Sequence, residues 1–155
     1  MTELQVIAES GTQNITLIRE LNAPLARVFE AYTEPELVAQ WLGPRRLEMK
    51  ISEWNAVSGG GYAYLHIDSD GTEYGFRGTF HTVRTDELII QTFEFLGALD
   101  AVSVETASFE DLGEGRTRLT STATYPSAEV REMMLQSGMA DGVKESYERL
   151  EELLS

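Results

Sequence analysis

The sequence predicts an α+β domain: a curved antiparallel sheet of about six or seven strands wrapped around a long C-terminal helix, with two short helices between strands 1 and 2. Three observations carry this. From Leu47 to Tyr125, apolar residues alternate by two in short stretches cut by turn signals. The stretches follow one another too closely for helical crossovers, so sequential antiparallel pairing follows. After Pro126 the period changes to that of a helix, and it holds to Leu154.

In chain order, the first dozen residues read as a loose lead-in closed by Ser10-Gly11. Ile15, Leu17, Arg19 and Leu21 then alternate with Thr16, Ile18 and Glu20 as a strand. Asn22-Ala23-Pro24 ends it and opens a helix, where a proline's missing N–H costs nothing. Leu25, Val28, Phe29 and Tyr32 form one apolar face of that helix. Thr33-Glu34-Pro35-Glu36 has the spacing of a capping box for a second short helix carrying Leu37 and Trp41, which Gly43-Pro44 terminates. Six strands are expected over 46–54, 61–68, 73–83, 87–95, 101–110 and 115–125. Asp70-Gly71 is read as a primed hairpin turn, which demands positive φ. In the last segment Val130, Met133, Met134, Met139, Val143, Tyr147, Leu150 and Leu154 lie at helical spacing, and Glu145 and Arg149 form an i, i+4 pair. Gly138 and Gly142 predict a bend or break near 137–141.

The chain has 155 residues, 42% of them hydrophobic, so a single domain over residues 1–155 with a substantial core is expected. With 26 acidic against 12 basic residues the net charge is −14, which repels phosphate backbones and anionic membrane surfaces. Neither nucleic acid nor membrane is expected as a partner. No apolar run is long enough to span a bilayer, and the first residues lack the pattern of a signal peptide. The absence of cysteine removes thiolate chemistry and suits a cytoplasmic location. Two histidines expected on opposite sheet faces, His66 inward and His81 outward, offer no transition-metal site, and no cofactor motif is present. Asp68 and Asp70 lack the spacing of a calcium loop, and Ser58-Gly59-Gly60-Gly61 is a turn, neither phosphate cradle nor nucleophile elbow.

Residue by residue, Asn22-Ala23-Pro24, Val28-Phe29, Thr33-Glu34-Pro35-Glu36-Leu37 and Trp41-Leu42-Gly43-Pro44 resemble the family named for the activator of heat-shock protein 90 ATPase. The likeness continues through Gly59-Gly60, Phe76-Arg77-Gly78, Thr92-Phe93-Glu94-Phe95, Tyr125-Pro126, Ser137-Gly138-Met139 and Tyr147-Glu148-Arg149-Leu150, so it spans about residues 14–154. The resemblance implies the helix-grip fold of the START-like superfamily, with an internal cavity. The chain departs from many relatives in having Leu42 and Val143 where they carry tryptophan, and His66 where methionine is frequent.

Trp41, Tyr62, Tyr64, His66, Phe80, Met133, Met134, Met139, Val143 and Tyr147 come from the elements expected to enclose that cavity. Aromatic rings and methionines suit a small apolar or aromatic ligand. A carrier or sensor of such a ligand is the leading expectation. An enzyme with His66 as acid/base and Tyr62 or Tyr64 as donor is one alternative. A chaperone-regulating or stress-response module, as the family name implies, is another; homodimerisation fits the fold. The facing of His66, Glu53, Glu94 and Glu105 depends on strand register, which a one-residue slip inverts.

Overall fold

The computed structural model describes residues 3–155. The elements are β1 (Gln5–Ile7), β2 (Asn14–Leu21), α1 (Leu25–Thr33), α2 (Pro35–Trp41), β3 (Glu48–Trp54), β4 (Gly61–Ile67), β5 (Glu73–Arg84), β6 (Leu88–Phe95), β7 (Ser103–Gly113), β8 (Arg116–Thr124), α3 (Ala128–Gln136) and α4 (Met139–Leu154). The strands form one eight-stranded antiparallel sheet in the order β1-β2-β8-β7-β6-β5-β4-β3. β3 to β8 are the expected meander. Its last strand pairs with β2, so chain ends distant in sequence meet in the sheet, with Ile15 opposite Ala123 and Leu17 opposite Ser121. The strand count exceeds the expected six or seven because Gln5–Ile7 pairs with β2. This edge strand has Val6 and Ile7 both exposed, so it carries no alternation to read.

Irregularities in β3, β5 and β7 bend the sheet into a concave surface. In β5 the extra residue is His81, which stands exposed with its Nδ1 2.7 Å from Thr82 Oγ1. The β4–β5 hairpin does not use a two-residue primed turn. Asp68 and Thr72 close a three-residue loop, the Gly71 N–H donates to Asp68 O, and only Gly71 has positive φ (89°). That is a type I turn followed by a left-handed residue.

One cap expectation and one side-chain pair are corrected. Glu34, not Thr33, is the N-cap of α2, and the Thr33 hydroxyl donates back to Phe29 O within α1. Glu145 and Arg149 bond to other partners instead of each other: Arg149 donates to Gly43 O at 2.9 Å, and Glu145 accepts from the Arg45 backbone N–H. The C-terminal helix is broken where its glycine predicts. Ser127 caps α3, and Gly138, at φ +83°, turns the chain into α4. The core lies between the concave sheet face and the helices. It contains Val28 and Phe29 of α1, Trp41 of α2, and Tyr147, Leu150 and Leu154 of α4 against Ile89, Phe109 and Leu119. Among the described residues, no helix is long and apolar enough to cross a membrane.

Candidate functional site

The concave sheet face and the α3–α4 cover do not meet over their whole length. Between them lies a cavity of about 560 Å³. Its origin is legible in side-chain size. Ala107, Ser121 and Ala123 occupy neighbouring inward positions on β7 and β8, and Gly142 and Val143 face the same space from α4. Small groups on both walls leave room that larger ones would fill. Rings stand around this gap: Tyr32 and Trp41 from the short helices, Tyr64, Phe76, Phe93 and Phe95 from the sheet, Tyr147 from α4.

One end is closed by the segment after α2, which is tied to α4. The Gly43 N–H donates to Ser146 Oγ at 2.8 Å, and Gly43 O accepts from Arg149. Gly43 has φ +98°, and a Cβ there would stand 2.6 Å from the His66 ring. Both backbone shape and close approach therefore require glycine in the Trp-Leu-Gly-Pro segment. His66 is buried on the same strand face as Tyr64, and its ring contacts Tyr64 and Phe76 at centroid distances of 5.1 and 5.3 Å. Burial lowers its pKa below the ordinary 6.5; the Leu42 carbonyl opposes the shift and the Arg149 charge adds to it. Its Nε2 is buried without a hydrogen-bond partner among the described residues. A neutral imidazole on the cavity wall results.

A second polar locus sits on β7. Counting back by twos from the buried Phe109 passes Ala107, Glu105 and the buried Ser103, so Glu105 points inward. It lies opposite Gln91 on β6 and Ala123 on β8, and it lines the cavity. Desolvation raises its pKa to about 7. Five tyrosines surround it closely enough to feel its charge: Tyr32, Tyr62, Tyr64, Tyr125 and Tyr147. Each has its own pKa raised, primarily by burial. Ser121 and Tyr32 act on the Tyr147 hydroxyl in the opposite sense to burial, without cancelling it. His66 and Glu105 are not a pair. Two strands, β5 and β6, lie between theirs in the sheet order, and neither perturbs the other's ionisation.

Of the residues singled out in the sequence, Trp41, Tyr64, His66, Met134, Met139, Val143 and Tyr147 line this space. Three do not. Tyr62 and Phe80 share the inward face but pack around Trp54 near the end of α1, at ring distances of 5.2 and 5.6 Å. There the Tyr62 hydroxyl is occupied by Thr92 O at 2.6 Å. Met133 is 68% exposed, because α3 turns Arg131 inward instead; that guanidinium donates to Glu9 O at 2.8 Å. Glu94 faces the outer side of β6, where it accepts from Arg77 Nε and from the Asp100 N–H, and these bonds lower its pKa, the backbone one most. Glu105 and Gln91 are among the wall residues that sequence reasoning did not place. The signal for Glu105 was its parity with Phe109.

Residues 22–155 match the family model described as activator of Hsp90 ATPase homolog 1-like protein. The chain belongs to this family. Solved structures agree with the fold. A protein from Arthrobacter aurescens is 25% identical, with TM-score 0.90 over 99% of this chain and 92% of that one. One from Rhodobacter sphaeroides is 23% identical, with TM-score 0.91 over 99% and 98%. A protein from Silicibacter pomeroyi that carries the family's name is 19% identical, with TM-score 0.75 over 89% and 94%. No curated protein matches the sequence. Within the activator-like family, the helix-grip architecture places Leu42 and Val143 on the cavity wall.

Proposed function

We propose that this member of the activator-like family binds a small, largely apolar ligand in the cavity between the sheet and α4. The observation that carries the reading is the cavity itself: about 560 Å³ falls inside the roughly 300–1,000 Å³ range of small-molecule sites. Its walls have the matching composition, aromatic and aliphatic with a few separated polar groups. Met134 and Met139 flank the α3–α4 joint, where flexible thioethers adapt to different ligand shapes. Leucine at 42 and valine at 143 keep open a volume that two indoles would occupy.

The test uses N-phenyl-1-naphthylamine, an apolar dye whose fluorescence rises on leaving water. The wild-type chain is expected to bind it, and Val143→Trp to bind it at least about tenfold more weakly with the fold retained, since excluding an aromatic ring forfeits well over one tenfold step of transfer energy. Equal binding by both proteins would place the dye elsewhere and overturn the reading.

A further inference from the structure

We infer that the cavity's ligand is an amine: an apolar or aromatic body carrying a protonated nitrogen that pairs with the Glu105 carboxylate. This rests on the ligand-binding reading above and narrows it to one chemical class. Three observations support it. The first is placement, since Glu105 lies on an inward strand position in the middle of the sheet and faces the cavity. The second is the lack of an internal partner. Among the described residues no hydrogen bond or ion pair reaches its carboxyl, although other partly buried acids are paired, Glu151 with Arg19 and Glu94 with Arg77. The third is the wall. Among the described residues arginine enters the lining only at Arg46, after α2, and the chain's net charge of −14 favours entry of cations over anions. Rings such as Tyr64, Phe76 and Tyr147 offer faces to a cation as well as to an apolar body.

The physical chemistry makes opposite demands on charged and neutral ligands. A neutral ligand that displaces water from the cavity desolvates Glu105 further and drives it to take up a proton. A cationic ligand supplies the missing partner and holds the carboxylate ionised. The tyrosines facing Glu105 from α1, β4 and α4, and Tyr125 after β8, remain neutral from pH 6 to 8, because burial raises all of them. His66 stays uncharged over most of this range. Glu105 is therefore the cavity group whose charge changes there. Amine binding should tighten from pH 6 to 8, and binding of a neutral isostere should weaken or stay level.

Three probes of one shape separate the possibilities: 2-(1-naphthyl)ethylamine, 2-(1-naphthyl)ethanol and 1-naphthylacetate, titrated calorimetrically into the wild-type chain and Glu105→Gln at pH 6 and 8. At pH 8 the amine is expected to bind wild type at least about tenfold tighter than the alcohol, the low end for a hydrogen bond to a charged group. Glu105→Gln should erase that preference and leave the alcohol within about twofold, a change too small to register a lost charged hydrogen bond. Equal affinities for amine and alcohol, a preference that survives Glu105→Gln, or tightest binding of the carboxylate would each overturn the inference and leave the cavity reading standing. Binding of the apolar dye with none of the three probes would do the same. Failure of dye and probes together overturns both.

Discussion

Glu105→Gln makes the chain more stable, and by an amount that depends on pH. Burial moves the carboxyl from its ordinary 4.5 to about 7. At 1.36 kcal/mol per pH unit, that gap corresponds to about 3 kcal/mol. The carboxyl faces a cavity rather than solid core, so solvent screening reduces the working figure to about 2 kcal/mol. The sign follows from proton counting. Between pH 4.5 and 7 the folded chain holds a proton that the unfolded chain releases, so wild-type stability falls as pH rises through that window. Below pH 4.5 both states are protonated and Glu105 contributes no difference. Above pH 7 the full penalty is present. Glutamine has no such penalty, so Glu105→Gln and wild type should match near pH 4, while the variant leads by about 2 kcal/mol at pH 8. Urea unfolding of both proteins at pH 4, 6 and 8 measures this directly. For a chain of this length the lead corresponds to a rise in Tm of about 4–8 °C. The repulsion among the other acids is common to both proteins and cancels in the difference. A difference that is independent of pH, or that favours wild type at pH 8, would refute the argument that Glu105 is a desolvated, unpartnered acid.

Two further outcomes follow, one at the cavity wall and one outside it, where Tyr62 packs near α1. His66, lowered chiefly by burial, should half-titrate below pH 6.5 in NMR spectra of its ring; its buried neutral form stabilises the fold above that pH and loses the contribution as pH falls, whereas a titration at or above 6.5 would place the ring in water. Gly78→Ala should cost about 2 kcal/mol or more in urea unfolding. The new Cβ would stand 2.1 Å from Thr92 O and 2.6 Å from the Tyr62 hydroxyl, displacing the Tyr62–Thr92 hydrogen bond; a loss under about 0.5 kcal/mol would show that β4 and β6 yield easily.

What the sequence made legible is what short-range periodicity encodes. Alternation located β2 to β8, and Gly138 marked the break between α3 and α4. Periodicity fails where an element has no buried face to declare. Gln5–Ile7 pairs as an edge strand with Val6 and Ile7 both in water, so it looked like a lead-in. Parity also tells which face a residue is on, but not where along the strand the space opens. Tyr62, Tyr64 and His66 share a face, yet Tyr62 packs under α1 against Trp54 while the other two reach the cavity. The α3 register was misread for a third reason. Met133 and Arg131 compete for the inward side, and the backbone carbonyl of Glu9 decides for arginine, through a hydrogen bond across more than a hundred residues of chain. No local rule contains that partner.

The acidic composition shows the same division between what is general and what is particular. Most of the 26 acids can be accounted for as a solvated coat, and several that leave the surface do so with a cation. Glu20 meets Arg116 and Arg118, Glu151 meets Arg19, and Glu94 takes Arg77 together with a backbone N–H. Each of these is a charge compensated within the fold, as burial requires. Glu105, half-buried at the cavity wall of the same sheet, has no such compensation among the described residues. Folding alone gives no reason for a carboxylate there, since glutamine would satisfy the position at lower cost. A ligand that brings its own positive charge supplies that reason, and it makes a residue costly to the fold informative about what enters the cavity.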